Sequence, residues 1–466
     1  MARLFGTDGV RGVANSELTA ELALSLSAAA ARTLCSLPAA VVGENPQPGQ
    51  SRKNPLAVVG RDPRPSGEFL EAAVVAGLAA EGVDVLRVGI VPTPAVAFLV
   101  GHLGADLGVM LSASHNPMPD NGIKFFSAGG HKLTDAQEDA IEALAMAGAA
   151  ATSATDGPRP TGAQVGRIRD GAHEAAAYGA HLIAHAPHRL DGLTVVVDCA
   201  NGAASNIAPE VLQRLGARVI TLFADTSGVH INDGCGSTHP EALQAAVIEH
   251  GADAGIAHDG DADRCLAVDA TGELINGDAI LAMLALAMHE RGQLAHATLV
   301  ATVMSNMALR LALAQRGISV VETAVGDRYV LQAMAEGGFS LGGEQSGHVV
   351  MGDIATTGDG LLTAIHVLGH MAQTGRSLAD LASVVEPLPQ VLLNVSGVDR
   401  AGLADNTAIA EEVAAVLSEL EGRGRVLLRP SGTEPVVRVM VEAPTTEQAN
   451  AMAQRLADRV RTELAP

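Results

Sequence analysis

With seven Phe, two Tyr and no Trp in 466 residues, this chain must fill its cores with Ala, Val, Leu, Ile and Met. The apolar fraction of 48% is ample for that. Small aliphatic side chains suit buried parallel strands under Ala-rich helices. They offer no aromatic platforms for stacking single-stranded nucleic acid. A formal charge of −22 also argues against a nucleic-acid partner, because phosphate backbones select basic surfaces. An anionic small substrate fits only where Arg, Lys or a metal dominates locally. The length points to two to four domains. Cys35, Cys199, Cys235 and Cys265 occur singly, as expected of reduced thiols in a cytoplasmic protein. No apolar signal core or membrane-length segment is present, so no membrane partner is expected.

Polar loops recur after apolar strands. The run Leu107 to Leu111 reads as a buried strand delivering Ser112, Ser114, His115 and, beyond the turn formers Asn116-Pro117 and Asp120-Asn121-Gly122, Lys124. Strand ends are where ligands bind in open α/β sheets. Taken alone, this stretch is better read as a Ser-rich turn. Residues 3–12 hold three glycines with Thr7, Asp8 and Arg11, and Gly-rich backbone beside an Arg can approach a phosphate. A strand at 56–60 leads to Arg61-Asp-Pro-Arg64. Residues 38–55 read as an exposed loop and 148–166 as a linker. The sequence Gly104-Ala-Asp-Leu-Gly-Val109 recurs as Gly251-Ala-Asp-Ala-Gly-Ile256. Eight residues past each repeat's Asp stand Ser114 and Asp261, so one helix-strand-loop unit is expected twice.

The loop His258 to Arg264 carries Asp259, Asp261 and Asp263 at alternate positions. An extended backbone would project all three to one side. Close carboxylates repel unless a cation neutralises them, and hard oxygen ligands suit Mg²⁺. An EF-hand is excluded, because its sixth and twelfth positions would be Arg264 and Ala270. A third region offers Asp327 and Arg328 after Gly326, then Glu344, Ser346 and His348 between glycines, suited to a polar substrate such as a sugar. The last eighty residues read as a small α+β domain with an antiparallel hairpin. Its loop Arg429-Pro-Ser431-Gly432-Thr433-Glu434, with Arg438 beyond, reads as a phosphate cradle. Carboxylates for a metal, a loop serine and this cradle imply phosphoryl transfer. No Walker A or kinase H-R-D sequence occurs, so the donor is read as a phosphoserine on the chain itself.

These loops, Ser112-Ala-Ser-His-Asn-Pro117, Asp259-Gly-Asp-Ala-Asp-Arg264, Gly343-Glu-Gln-Ser-Gly-His348 and Arg429-Pro-Ser-Gly-Thr-Glu-Pro435, resemble, in order, the four signature loops of the α-D-phosphohexomutase superfamily. The resemblance implies an α/β fold: three topologically similar mixed-sheet domains (1–160, 161–268, 269–386) and a smaller α+β domain (387–466) around a central cleft. It makes Ser114 the phosphoserine and Asp259, Asp261 and Asp263 the ligands of one Mg²⁺ per subunit, completed by the phosphate on Ser114. Lys124 or His115 would be the acid/base, with Lys124 preferred, and Arg264 would offset charge. Thr7, Arg11, Asp327, Arg328, Glu344, Ser346 and His348 would meet the sugar phosphate. Arg429, Ser431, Gly432, Thr433 and Arg438 would hold its distal phosphate.

Further details, among them Gly234-Cys-Gly-Ser-Thr-His-Pro-Glu241, resemble the bacterial branch that interconverts glucosamine 6-phosphate and glucosamine 1-phosphate through a 1,6-bisphosphate. That reaction feeds UDP-N-acetylglucosamine and cell-wall synthesis. Ala262 stands where that family more often has Gly. A homodimer is the candidate assembly. The alternatives are glucose- or mannose-phosphate mutases of the same superfamily, a metal-dependent phosphatase, and a non-catalytic sugar-phosphate binding protein.

Overall fold

The computed structural model describes residues 3–6, 8–35, 54–151, 159–430 and 436–465. Of the expected 38–55 loop, residues 38–53 lie outside the described residues, as do 152–158 of the expected linker.

The larger of two compact units, Met1–Met304 with Val320–Ser383, contains three mixed sheets. In the first, the order is Val10–Val13, Asp120–Ser127, Leu107–Leu111, Leu56–Arg61, Asp84–Ile90 and Ile168–Asp170, with His131–Lys132 beside Asp120–Ser127. The second runs Leu274–Ile275, Leu266–Asp269, Ala254–Ala257, Thr194–Asp198, Arg218–Leu222. The third runs Ser319–Thr323, Thr298–Thr302, Leu341–Gly343, Val349–Met351. The expected boundary at 160 is passed, because Ile168–Asp170 pairs in parallel with Asp84–Ile90. That strand is too short and polar to stand out in the sequence.

The recurring unit is real in three dimensions. The helices Thr93–Leu103 and Glu241–His250 both end at left-handed glycines, Gly104 and Gly251, where a Cβ would be strained. Asp106 and Asp253 then each pair with the start of the neighbouring parallel strand. Asp106 accepts from the Leu56 N–H at 2.8 Å and Asp253 from the Thr194 N–H at 2.7 Å. In mid-strand, a Cβ on Gly108 would meet Val100 at 2.5 Å, and one on Gly255 would meet Val247 at 2.7 Å.

A third copy exists that the sequence comparison missed. The helix Asp327–Gly337 ends at left-handed Gly338. Four residues on, a Cβ on Gly342 would meet Met334 at 2.6 Å. Only the glycine spacing survives in this copy, and its equivalent of Ser114 and Asp261 is His348. In all three sheets the strand is parallel to one neighbour, and its loop returns through an antiparallel partner. One design thus delivers the three polar loops.

The smaller unit, Ser305–Ser319 with Val384–Pro466, is a three-stranded antiparallel sheet in the order Gln390–Ser396, Val436–Glu442, Arg425–Pro430. Helices Thr407–Leu420 and Thr446–Glu463 pack on it around Val416, Val439, Leu456 and Val460. The expected hairpin is therefore present. Ser305–Ser319 groups with this unit through buried Glu442, which accepts from the Met307 N–H at 2.8 Å and pairs with Arg425, itself reaching the Ser305 carbonyl at 2.5 Å.

Within the larger unit, helix Ala175–Ala184 packs against Thr93–Leu103 through stacked Phe98 and His181, 4.4 Å between ring centroids. His181 in turn lies 4.3 Å from His185. On helix Gly360–Thr374, burial first and Arg291 next push His366 down to about 4, and burial also lowers His181 and His370. Such neutral histidines stabilise the fold fully above the ordinary value of 6.5, and the contribution is lost as pH falls towards 4. His366→Leu is expected to remove about 2 kcal/mol of the stability lost between roughly pH 7 and 5, measured by urea denaturation at both pH values. An unchanged pH dependence would contradict this.

Candidate active site

The serine loop leaves the buried Leu107–Leu111 strand and places Ser114 at φ 54°. For an L-residue this left-handed conformation costs roughly 1–2 kcal/mol and needs outside support. Arg64 supplies much of it. Its side chain is 0% exposed. It donates to the carbonyls of Ser114 at 3.0 Å, Asn116 at 2.7 Å, Pro117 at 2.5 Å and Asp120 at 3.0 Å. Its charge is matched by equally buried Asp62 at 2.9 Å. Asp62 also accepts from Ser112 Oγ at 2.6 Å, and Ser112 Oγ accepts from the Ser114 N–H at 2.9 Å. From the second sheet's loops, Asn232 Nδ2 donates to the Ser114 carbonyl at 2.8 Å and to the Asn116 carbonyl at 3.1 Å.

The acidic loop is not extended, contrary to the expectation from alternation. A turn closes from the Ala262 N–H to the Asp259 carbonyl at 3.0 Å, with Ala262 left-handed at φ 56°. This turn brings one oxygen each of Asp259, Asp261 and Asp263 within 4.8 Å of one another in a buried cluster. Asp261 Oδ1 and Asp263 Oδ1 are buried without hydrogen-bond partners. Orphaned hard oxygens so arranged fit a divalent cation.

Ser114 Oγ donates to Asp259 Oδ2 at 2.5 Å, and His115 Nδ1 lies 3.4 Å from the same hydroxyl. Thr93 Oγ1 donates to Asp261 Oδ2 at 2.6 Å. Burial, then Asp263 and Asp261, push Asp259 up to about 7. Burial would also raise Asp263, but Lys124 and His348 hold it below the usual carboxylate range. Burial, then Arg264 and Arg11, push His115 down to about 4, leaving a neutral imidazole.

Lys124 is buried 2.7 Å from both Asp261 and Asp8 and 3.6 Å from Asp263. These carboxylates outweigh burial and raise it well above its ordinary value. Its surroundings therefore suit a group held as an ammonium better than a base. Arg264 lies 3.9 Å from Asp259 and from Asp263.

The third sheet's loop meets the acidic loop through a bridge between Arg264 and His348. His348 lies 3.6 Å from Asp263 and from Asp327, which against burial raise it to about 9. Lys132 joins Asp327 to Asp8. Glu344 accepts from the Gly326 N–H at 3.1 Å, and the Ser346 hydroxyl is buried without a partner. Arg11 pairs with Asp8 at 2.7 Å and reaches the Ala113 carbonyl at 3.3 Å. Arg328 is taken up by Asp135 and Glu138. It thereby ties the first and third sheets together, a role its assignment to substrate did not anticipate.

In the smaller unit, Arg429 and Arg438 lie directly opposite in strand register. Thr7, Ser431, Gly432 and Thr433 lie outside the described residues.

Sequence reasoning noted Asp8, Asp62 and Arg64 without giving them a role, and missed Thr93, Lys132 and Asn232. Arg61 to Arg64 did carry a signal, as one more polar loop after a strand, but nothing marked its partner.

Four family descriptions cover the chain: phosphoglucomutase/phosphomannomutase alpha/beta/alpha domain I at residues 2–151, domain II at 176–272, domain III at 276–388, and the C-terminal domain at 392–459. The chain is 62% identical to a phosphoglucosamine mutase of Acidothermus cellulolyticus, covering 99% of this chain and 96% of that one. It is 60% identical to that of Streptomyces avermitilis over 100% of both. Among solved structures, a putative phosphomannomutase from Thermus thermophilus superposes with a TM-score of 0.75 at 26% identity, over 99% of each chain.

Ala262→Gly tests the turn that gathers the carboxylates. Relief of the left-handed strain is worth about 1–2 kcal/mol, and the added unfolded-state freedom costs about 0.4–1. A net gain of roughly 0.5–1 kcal/mol in denaturation is expected, with cation affinity unchanged. A loss of stability would show that Ala262 is not strained.

Proposed function

The chain belongs to the phosphoglucomutase/phosphomannomutase family, and from that premise we propose that it interconverts glucosamine 6-phosphate and glucosamine 1-phosphate. The observation that carries the reading is the contact between the Ser114 hydroxyl and Asp259, inside a buried carboxylate triad with unpaired oxygens. That proximity would place a phosphate on Ser114 beside carboxylates able to hold a metal. Full-length relatives at 60–62% identity named phosphoglucosamine mutase support the substrate.

In this reading Ser114 carries the phosphoryl group. The Oγ–P bond breaks as the sugar's C1 oxygen bonds to phosphorus, and the C1 hydroxyl's proton leaves to a base. Neutral His115, 3.4 Å from Ser114 Oγ, supports that role. Lys124, held as an ammonium, supports charge neutralisation and proton return. The resulting 1,6-bisphosphate reorients, and its 6-phosphoryl group returns to Ser114. Asp259, Asp261 and Asp263 would hold one Mg²⁺ with an oxygen of the phosphoserine, supplying Lewis-acid charge to the transferring group.

Arg264 would offset charge beside it. Glu344, Ser346, His348, Asp327, Arg328, Thr7 and Arg11 are assigned to the sugar phosphate, and the unpartnered Ser346 hydroxyl is the best supported of these. Arg429 and Arg438, which lie opposite in strand register, are assigned with Ser431, Gly432 and Thr433 to the distal phosphate. The product would feed UDP-N-acetylglucosamine and cell-wall synthesis. Four free, buried cysteines support a cytoplasmic location, and no helix among the described residues is long and apolar enough to cross a membrane. A homodimer is the proposed assembly.

A substrate panel decides. Turnover of glucosamine 6-phosphate is expected to exceed that of glucose and mannose 6-phosphates. Net phosphate release without isomerised sugar would indicate a phosphatase instead. Peptide mass spectrometry should find phosphate on Ser114, and Ser114→Ala should abolish turnover. An unimpaired variant would rule out the phosphoserine. Chelation should stop the reaction and Mg²⁺ restore it, whereas Asp261→Asn should weaken Mg²⁺ binding in calorimetry. Full, chelator-insensitive activity in that variant would discard the metal assignment.

A further inference from the structure

The backbone of Ser114 is gripped on both sides by groups that never reach its hydroxyl. On the amide side, Ser112 Oγ accepts from the Ser114 N–H and donates to Asp62. On the carbonyl side, Arg64 and Asn232 both donate to the Ser114 oxygen. Arg64 and Asp62 are a single ion pair with both partners 0% exposed, so the two sides close into one ring. Breaking that ring would strand a buried charge.

Asn232 brings in the second sheet's Asp225–Asn232 loop. Gly228 of that loop is left-handed at φ 75° and seats against the Pro63 carbonyl so closely that a Cβ would overlap it. The same loop region touches the acidic turn, since a Cβ on Gly260 would meet Asn232 Nδ2 at 2.9 Å. The serine's backbone and the carboxylate turn are thus referenced to one side chain.

We propose that Arg64 and Asn232 are positioning residues that clamp Ser114 in its left-handed conformation, fixing its oxygen against the carboxylate triad for phosphoryl transfer. The inference rests on the functional reading above. It adds that transfer rate depends on a clasp built from the first and second sheets. Reactions of this kind tolerate little misplacement, and about 1 Å can cost roughly a hundredfold. A freed Ser114 would relax from the left-handed region and carry its oxygen with it.

Asn232 itself sits at φ 59°, so Asn232→Gly removes the amide donor while relieving backbone strain. Arg64→Lys keeps a buried cation but cannot serve four carbonyls at once. With each variant loaded by added 1,6-bisphosphate, kcat is expected to fall about ten- to a hundredfold, with KM and Mg²⁺ affinity within roughly twofold. The single-turnover rate of Ser114 phosphorylation should fall by the same factor. Hydrogen exchange across residues 112–120 should accelerate in both variants, a readout that needs no turnover, while the thermal midpoint of Asn232→Gly stays within about 3 °C.

If Arg64→Lys does not fold, Asn232→Gly alone decides. A kcat within twofold of the parent, or a loss of activity matched by loss of folded protein, overturns the proposal. Faster exchange in the variants of a parent protein that shows no mutase turnover would uphold the clasp and overturn the functional reading instead.

Discussion

Three carboxylates held within 4.8 Å of one another in a buried turn repel strongly, and the surrounding structure is organised to answer that repulsion. Lys124 approaches from the first sheet, Arg264 from the turn's own exit, and His348 from the third sheet's loop. Beyond them a further layer alternates in sign: Asp8 between Lys124 and Lys132, and Asp327 between Lys132 and His348. The field is uneven. Burial, then Asp263 and Asp261, push Asp259 up to about 7, whereas Lys124 and His348 hold Asp263 low against its own burial.

Backbone strain collects at the same place. Ser114, Ala200, Asn201, Asn232 and Ala262 all take positive φ, and all lie in loops around the acidic turn or the strands that feed it. Each non-glycine residue in that region costs free energy and persists only when neighbours over-determine it. Buried Arg64 does this for the serine loop. For the acidic turn, the Gly360 N–H donates to the Ala262 carbonyl at 3.1 Å, and the Ala203 N–H donates to the Gly260 carbonyl at 2.8 Å. Rigid sheets absorb the strain, and the loops display the result.

The three repeated units explain how one chain assembles such a site. Each combines a glycine-ended helix, a strand with a mid-strand glycine packed against that helix, and an antiparallel return. One unit carries a hydroxyl, one a carboxylate set, and one an imidazole, at equivalent positions 114, 261 and 348. The identity of these groups differs while the scaffold that aims them does not, as expected where function resides in loops grafted on a common frame.

Much of this was legible in the sequence. Aliphatic composition and strand-loop punctuation indicated the α/β sheets, the repeat indicated two of the three equivalent units, and the four polar loops indicated phosphoryl transfer. These are local signals, carried by residues adjacent along the chain. The third unit was hidden because only Gly338 and Gly342 retain its spacing, and two glycines are too common to identify a repeat. Alternation of Asp259, Asp261 and Asp263 correctly marked a shared purpose but suggested the wrong geometry, since the left-handed turn at Ala262 gathers them. Arg64, Asn232, Thr93 and Lys132 were decided by tertiary structure alone. The groups they hold across the fold lie from 50 to 195 residues away, and no local pattern tells a buried Arg that orders a loop from one on the surface.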